Sequence, residues 1–396
     1  MKPYEQFVEN ILGAVRSGQG KDPAAATALI QEALQKAGLM GGAASPSAAP
    51  AQEGKAPFVD LNSPPAWSAK ARRRTATPHS ADAGAEAGAD AGASIPDWVA
   101  RFTANLPGQM AGRARTVDPA VHGPGQFLSG SFTNEAGTRN YRLYVPSRPA
   151  AGPRPLVVML HGCKQNPEDF AAGTTMNLAA EESGCLVLYP EQAASANHSQ
   201  CWNWFEGAHQ GRDQGEASLL AGMTRQVLRE HDGDAGRVFV AGLSAGGAMA
   251  AVLAAAYPEL YAAVGVHSGL PAGAAHDLMS GLNAMKGARK KAKTPAGPRP
   301  VPAIVFHGDR DAVVHPSNGE AVYHQFTHGA AAAETEERGQ DHTRTVKRDA
   351  GGRVVAEHWT LHGAGHAWSG GSTAGSYAEA SGPNASAEML RFFLSR

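Results

Sequence analysis

The chain has 396 residues, more than one average domain, and its 47 glycines and 26 prolines indicate that part of it is unstructured. We therefore expect one large domain with additional segments. The 35 Lys and Arg residues nearly balance the 36 Asp and Glu residues, so the formal net charge is −1. This balance gives no electrostatic reason to expect binding to nucleic acid or to an anionic membrane.

The N-terminal part of the chain carries two short helical patterns. Apolar residues recur at helical spacing from Tyr4 to Val15, and Asp22 begins a second pattern that ends near Gly38. Two helices of this length bury too little surface to be stable alone. Residues 1–39 are therefore predicted to be a helical hairpin that docks on the main domain, on another subunit or on a partner.

Residues 40–95 are rich in Ala, Gly, Ser and Pro, so a disordered linker is predicted there. Order should resume near Ile95, which assigns residues 96–396 to the main domain. The N-terminus lacks an apolar stretch of signal-peptide length, and no other segment is apolar for long enough to span a membrane. By default we expect a cytoplasmic protein with no transmembrane segment.

From residue 126 onwards, apolar strands alternate with helical patterns. This alternation predicts an α/β fold in which a mostly parallel sheet is covered by helices on both faces. Two antiparallel hairpins are expected, one from Gln126–Thr133 and Thr138–Val145 and a late one from Thr345–Arg348 and Val354–Leu361. The other predicted strands are Leu156–Leu160, Cys185–Tyr189, Val238–Leu243, Ala262–Val266 and Ala303–Phe306. The predicted helices are Glu216–Glu230, the Ala-rich segment after Ser244, Gly319–Thr327 and Ala385–Leu394.

The most informative motif is the Gly-x-Ser-x-Gly sequence around Ser244. An apolar β-branched strand leads into it and an Ala-rich helix follows it. In that context a serine is held in strained backbone geometry, for which Gly242 and Gly246 leave the necessary room. The alternative is a Gly-rich turn between strand and helix that has no chemistry. We predict that Ser244 is a nucleophile.

A serine nucleophile needs a histidine base and a carboxylate, which this architecture supplies in the order Ser, Asp, His. One apolar strand ends in a loop that carries Asp309 and Asp311. Asp311 is the predicted acid, because Asp309 lies in the tight turn beside Gly308 and is expected to bond its own backbone. His366, in the Gly-rich loop after a later strand, is the predicted base.

Other histidines are open to different interpretations. His362 and His366 are four residues apart, as in a metal-binding pair, but two intervening glycines argue against the helix that would align them. His267, His307 and His315 also lie at predicted strand ends and could line a pocket, although we assign them no role. No metal site and no cofactor are predicted.

Two backbone N–H groups are predicted to form an oxyanion hole. The loop after the strand Leu156–Leu160 contains Cys163, and in this architecture that loop supplies one donor. The second donor is the N–H of Ala245, directly after the nucleophile and at a helix N-terminus. The alternative for the first loop is a simple turn that contains a glycine.

Three tryptophans are candidate substrate-binding residues. Trp202, Trp204 and Trp368 lie in loops expected at the carboxyl ends of strands, where they could form an apolar wall for an acyl chain. The alternative is that these side chains anchor their loops in the core.

Motifs spread over about residues 125–394 resemble the polyhydroxybutyrate (PHB) depolymerase family of esterases, which is related to the feruloyl and acetylxylan esterases of carbohydrate esterase family one. The motifs are His161-Gly-Cys-Lys-Gln165, Tyr189-Pro-Glu-Gln192, Cys201-Trp-Asn-Trp-Phe205, Ala241-Gly-Leu-Ser-Ala-Gly-Gly-Ala-Met249, Val266-His-Ser-Gly269, Phe306-His-Gly-Asp309 and Gly363-Ala-Gly-His-Ala-Trp-Ser-Gly-Gly371. The resemblance implies an α/β-hydrolase fold, a triad of Ser244, Asp311 and His366, and ester hydrolysis without a metal or organic cofactor.

Three functions follow as expectations. The first is hydrolysis of a PHB-type polyester, or of short hydroxyalkanoate esters, through an acyl-enzyme on Ser244. The second is a feruloyl or acetyl esterase that acts on carbohydrate. The third, of another class, is a protein that binds polymer granules or a partner through the hairpin of residues 1–39, with hydrolysis secondary.

The resemblance also bears on the cysteines and on the compartment. Cys163 and Cys201 fall in two of the family motifs, so they are the candidate pair if a disulfide forms, whereas Cys185 lies in a predicted strand. A reducing cytoplasm would keep that pair open. Secreted members of the family make an extracellular location the alternative to the cytoplasm.

Overall fold

Four stretches of the computed structural model are described here: residues 123–149, 151–287, 301–327 and 333–396. The predicted hairpin (1–39), the predicted linker (40–95) and the first part of the predicted main domain lie outside these stretches. The strands within them are β1 (Gln126–Asn134), β2 (Gly137–Val145), β3 (Arg154–Leu160), β4 (Leu186–Pro190), β5 (Gly233–Leu243), β6 (Ala263–His267), β7 (Ala303–Gly308), β8 (Ala333–Arg338), β9 (His342–Arg348) and β10 (Val354–Leu361).

The strands form one sheet in the order β1-β2-β4-β3-β5-β6-β7-β10-β9-β8. From β4 to β10 every neighbouring pair is parallel. At each edge an antiparallel hairpin extends the sheet, β1–β2 beside β4 and β8–β9 beside β10. The predicted mostly parallel sheet is therefore confirmed. The first predicted hairpin is β1–β2 at one edge, and the late one is β9–β10, in which β10 also pairs with β7 and β9 with the unpredicted edge strand β8.

Helices cover both faces of the sheet, as predicted. Side chains alternate along β3, so Val158 packs in one core layer with helices α3, α4 and α6, and Val157 packs in the other with α1, α2 and α7. The helices are α1 (Pro167–Thr174), α2 (Met176–Ser183), α3 (Gly215–Glu230), α4 (Ala245–Ala256), α5 (Leu278–Met285), α6 (Ser317–Thr327) and α7 (Ala385–Leu394). None of these helices is long and apolar enough to cross a membrane.

Four elements were not predicted, and each lacks the signal on which the prediction depended. Helices α1, α2 and α5 have only eight residues each, too few to show a clear helical period. Strand β8 is exposed along its whole length and mostly charged, so no apolar alternation marks it. Its charges suit an edge strand, because they oppose pairing with another chain.

A buried carboxylate ties the end of the sheet to the C-terminal helix. Glu357 of β10 is fully buried and accepts hydrogen bonds from Arg344 of β9, at 3.1 and 2.9 Å, and from Arg391 of α7 at 2.6 Å. Burial alone would raise the pKa of Glu357, but the hydrogen bonds from the two arginines lower it below its usual value. Strand β10 leads into the loop of His366, so this cluster supports the base of that loop.

We expect Glu357→Gln to destabilise the protein by about 3 kcal/mol at neutral pH, because the change leaves two guanidinium groups without their shared carboxylate. A lowered pKa adds stability above the unfolded value of about 4.3, and this contribution is lost as the pH falls through the folded value. Urea unfolding at several pH values should therefore show the difference from wild type shrinking below about pH 4.

Glu388→Gln is the matched control, since Glu388 also pairs with Arg391, at 2.6 Å, but is partly exposed. Its cost should stay below about 1 kcal/mol. Equal costs for the two variants would contradict the role given to Glu357.

Candidate active site

Ser244 lies at the sharp turn between β5 and α4. Its backbone has φ 57° and ψ −119°, a strained conformation for a residue with a side chain, and its N–H donates to the carbonyl of His267 at 2.9 Å. The turn packs against the end of β3 with almost no space. A Cβ added at Gly246 would overlap the carbonyl oxygens of Leu160 and His161. This is the geometry of a nucleophile elbow.

Asp311 lies in the loop after β7, with its carboxylate fully buried. Oδ1 accepts the backbone N–H groups of Val313 and Val314, both at 2.8 Å, and Oδ2 is 2.7 Å from Nδ1 of His366. Burial would raise the pKa of Asp311, but the hydrogen bonds from His307 and His366 hold it well below its usual value. The carboxylate is therefore ionised and fixed in place.

The sequence argument about Asp309 was wrong in its detail. Asp309 does not bond its own turn: Oδ1 accepts the N–H of Gly363 at 2.8 Å, and Oδ2 is 3.4 Å from Nδ1 of His362. Gly308 lets the two loops approach this closely, because a Cβ there would overlap the carbonyl of Ala364. Asp309 thus fastens the loop that carries His366.

His366 has the arrangement expected of a general base. Its Nδ1–H donates to the carboxylate of Asp311, and in a neutral imidazole with that tautomer Nε2 is the nitrogen that can accept a proton. His366 and Ser244 both line the same cavity. His362 instead contacts Thr343 at 2.9 Å and Asp309, so the two histidines do not form a metal pair. The described stretches contain no cluster of His, Cys, Asp or Glu suited to a metal ion.

Hydrogen bonds of His161 fix the peptide group between Gly162 and Cys163. His161 is buried, which lowers its pKa to about 4, and its Nε2 accepts the N–H of Gln192 at 3.1 Å. Nδ1 therefore carries the proton and donates to the carbonyl of Gly162 at 2.8 Å. In a trans peptide the carbonyl and the next N–H point in opposite directions, so this bond also fixes the direction of the Cys163 N–H.

The position of this loop suits an oxyanion hole. A Cβ added at Gly162 would lie 3.7 Å from Cβ of Ser244, so the loop passes directly beside Ser244. The neighbouring amides are engaged, since Gly162 N–H donates to Gln165 and Lys164 N–H donates to Ser199. Ala245 begins α4, where the first N–H groups have no acceptor within the helix.

A cavity of about 380 Å³ opens above Ser244. Most of its wall is apolar, and helix α5 supplies one side of it. Since α5 was not predicted, its contribution was missed, and only the apolar spacing of Leu278, Leu282 and Met285 could have indicated it. The residues that line the cavity include Cys163, Cys201, Trp204, Phe205, Leu243, Ser244, Leu278, Leu282, Met285, Val313, His366 and Tyr377.

The structure places only one of the three candidate tryptophans at this cavity. Trp204 lines it, in edge-to-face contact with Phe205. Trp202 is fully buried and donates from Nε1 to the carbonyl of His161 at 3.1 Å. Trp368 is buried as well, stacked on His267. The substrate-binding prediction for Trp202 and Trp368 is corrected: both anchor loops in the core.

The other histidines at strand ends have structural partners. His267 is buried, which lowers its pKa to about 3, and its Nε2 accepts the N–H of Ser369 at 3.1 Å. His307 donates from Nε2 to the carbonyl of Val314 at 2.8 Å and also lies 3.4 Å from Asp311. His315 contacts Ser317 at 2.9 Å. None of the three lines the cavity above Ser244.

The structure contains a disulfide between Cys163 and Cys201, while Cys185 is free and buried. The disulfide joins the loop beside Ser244 to the loop that precedes Trp204. Because Cys163 and Cys201 both line the cavity, the disulfide fixes one part of its wall.

Comparisons with known proteins show which family and which esterases this chain is similar to. The family model "Esterase PHB depolymerase" matches residues 139–346, a range that includes Ser244 and Asp311 and ends before His366. Poly(3-hydroxyalkanoate) depolymerase C of Paucimonas lemoignei is 32% identical over 253 residues, which cover 60% of this chain and 60% of that protein. Probable acetylxylan esterase A of Aspergillus fumigatus is 31% identical over 211 residues, covering 49% of this chain and 55% of that protein.

Among solved structures, the acetyl xylan esterase from Aspergillus awamori matches with a TM-score of 0.52 and 24% identity, over 60% of this chain and 94% of that chain. This likeness shows the α/β-hydrolase fold. The chain spans 55–60% of the length of the two curated relatives named above. Because the family model matches more than half of its residues, the chain belongs to the PHB depolymerase family of esterases.

Proposed function

We propose that this chain is a serine esterase that hydrolyses a PHB-type polyester or its oligomers. The observation that carries the proposal is the arrangement of three residues. Ser244 lies at a strained elbow, His366 is hydrogen-bonded through Nδ1 to the buried Asp311, and Ser244 and His366 line the same cavity. The curated relatives support an ester as substrate, and the depolymerase among them supports a polyester.

In the proposed reaction, Nε2 of His366 takes the proton of Ser244 as Oγ attacks the ester carbonyl. The negative charge that forms on the carbonyl oxygen is stabilised by the N–H groups of Cys163 and Ala245. His366 then gives its proton to the leaving alcohol, and the acyl group stays on Ser244. Water activated by His366 releases the acid in the same way, while Asp311 keeps the imidazole oriented throughout.

The shape of the cavity supports an acyl chain of several carbon atoms. Trp204, Phe205 and helix α5 form apolar walls that can bury methyl-bearing hydroxyalkanoate units. Gly281 lets α5 lie against Phe205, because a Cβ there would come within 2.9 Å of Cβ of Phe205. Gly281 and Phe205 both line the cavity, so this contact is part of its wall.

A specific observation supports the carbohydrate esterase as the second candidate. The lining of the cavity also includes the polar residues His198, Ser199 and Glu206, which can contact hydroxyl groups of a sugar. The role of residues 1–39 in contact with a granule or partner stays a prediction, since these residues lie outside the described stretches.

We expect Ser244→Ala to lower release of 3-hydroxybutyrate from amorphous PHB granules by about 10⁴-fold or more, because the nucleophile is lost. The measurement compares the soluble product released by wild type and variant at equal concentration. Release by the wild type alone supports a polyester depolymerase. No release by either protein, with Ser244-dependent cleavage of acetylated or feruloylated xylan, would favour the carbohydrate esterase. Equal activity of both proteins on every ester would point to a binding protein.

The two aspartates of the β7 loop should behave differently. Asp311→Asn should lower kcat by about 10⁴-fold, because a neutral amide cannot hold the required tautomer of His366. Asp309→Asn keeps an oxygen for the N–H of Gly363 and should lower kcat by less than about tenfold. Kinetics on p-nitrophenyl butyrate test this pair, and a larger loss for Asp309→Asn would reverse the assignment of the acid.

Trp204→Ala should weaken binding of long acyl groups more than short ones, because it removes one apolar wall. We expect KM to rise about tenfold for p-nitrophenyl hexanoate and by less than about threefold for the acetate. Trp359→Ala, a buried tryptophan that does not line the cavity, is the control for general loss of packing. An equal rise in KM for both esters would contradict the position given to the acyl chain.

A further inference from the structure

A network of polar side chains extends from the loop beside Ser244. The N–H of Gly162 donates to Oε1 of Gln165 at 3.0 Å. Nε2 of Gln165 donates to Oδ2 of Asp169 at 2.9 Å and to the carbonyl of Ser376 at 3.0 Å. Gln165 is buried, so losing any of these partners would leave a polar group without access to water.

Asp169 connects this network to a second loop of the cavity wall. Oδ1 accepts the N–H of Ser376 at 2.9 Å, and Oδ2 accepts its hydroxyl at 2.5 Å. The next residue, Tyr377, lines the cavity with φ 51°, a left-handed conformation that its surroundings must maintain. The network thus joins two cavity loops that are 211 residues apart in the sequence.

The direction of the hydrogen bonds depends on the amide of Gln165. The N–H of Gly162 can only donate, and the ionised carboxylate of Asp169 can only accept. The residue between them must therefore offer an acceptor at one end and a donor at the other. A glutamine does this, whereas a glutamate of the same shape offers acceptors at both ends.

We propose that Gln165 and Asp169 are positioning residues for the oxyanion hole, which hold the Gly162 peptide so that the N–H of Cys163 faces an ester bound at Ser244. His161 holds the carbonyl of Gly162 and Gln165 holds its N–H, so the two contacts fix both peptide groups of this residue. The inference rests on the proposed function, because it requires an oxyanion to form beside Ser244.

The first test is Gln165→Glu, which keeps the shape and replaces the donor with an acceptor facing Asp169. We expect kcat for p-nitrophenyl butyrate to fall about 10–100-fold at about pH 8, with KM changed by less than about threefold. Two adjacent carboxylates share a proton as the pH falls, and that proton restores a donor. The ratio of variant to wild-type kcat should therefore rise towards low pH, which a mere packing defect would not produce.

The second test reverses the polarity of the whole pair. In Gln165→Glu/Asp169→Asn, the new amide donates to the new carboxylate and its carbonyl oxygen accepts the N–H of Ser376. We expect kcat to rise about fivefold or more above that of Gln165→Glu but to stay below the wild-type value, because the carbonyl of Ser376 still lacks the donor that Gln165 supplied, while Asp169→Asn alone stays impaired. Ser376→Ala is the control, since it removes only the hydroxyl contact and leaves the backbone groups. Thermal unfolding midpoints of all variants establish that each protein is folded.

Two results of the kcat measurements would overturn the proposal. The first is that Gln165→Glu has the same kcat as the wild type at every pH. The second is that the double variant has a kcat no higher than that of the less active single variant. The rate at which a small p-nitrophenyl alkylphosphonate modifies Ser244 is measured in the same series, because the phosphonate uses the same donors and needs no polyester. If the wild type reacts with the phosphonate but does not hydrolyse PHB, the proposed polyester substrate is refuted, and the role of the network can still be tested. An unchanged phosphonylation rate in Gln165→Glu refutes the network.

Discussion

The close contact between the β5–α4 turn and the end of β3 is the constraint on which the site depends. Gly242 and Gly246 lie so near to the carbonyl of Leu160 that neither position has room for a Cβ. This approach forces Ser244 into its strained conformation and brings the His161–Gln165 loop beside it. A turn with larger residues would separate Ser244 from the His161–Gln165 loop.

Around this contact, polar groups, most of them buried, fix the backbone rather than react. His161 and Gln165 orient the peptide groups of Gly162, Asp309 fastens the loop of His366, and Glu357 supports the strand that leads to that loop. Each of these groups has its partners, since an unpaired polar group in the interior costs stability. The site is thus held by hydrogen bonds from several loops, and the sheet beneath it supplies the common support.

Local patterns allowed part of this arrangement to be predicted. The central strands, the hairpins β1–β2 and β9–β10 and helices α3, α4, α6 and α7 carry apolar patterns or turn signals that can be recognised in the sequence, and their order predicted the α/β class correctly. The short helix α5 and the charged strand β8 carry no such pattern and were missed. The same limit explains the tryptophans, because nothing local distinguishes Trp204 at the cavity from Trp202 in the core.

From the sequence we could predict the chain order of nucleophile, acid and base and recognise the family to which the motifs belong, because each motif is contiguous and each strand marks its own end. Only the tertiary structure decided which of two aspartates contacts His366, which tryptophan faces the cavity, and how Gln165 meets Ser376. These relations join residues tens to hundreds of positions apart. They depend on how closely loops from different strands approach one another, and that distance is set by packing of the whole domain.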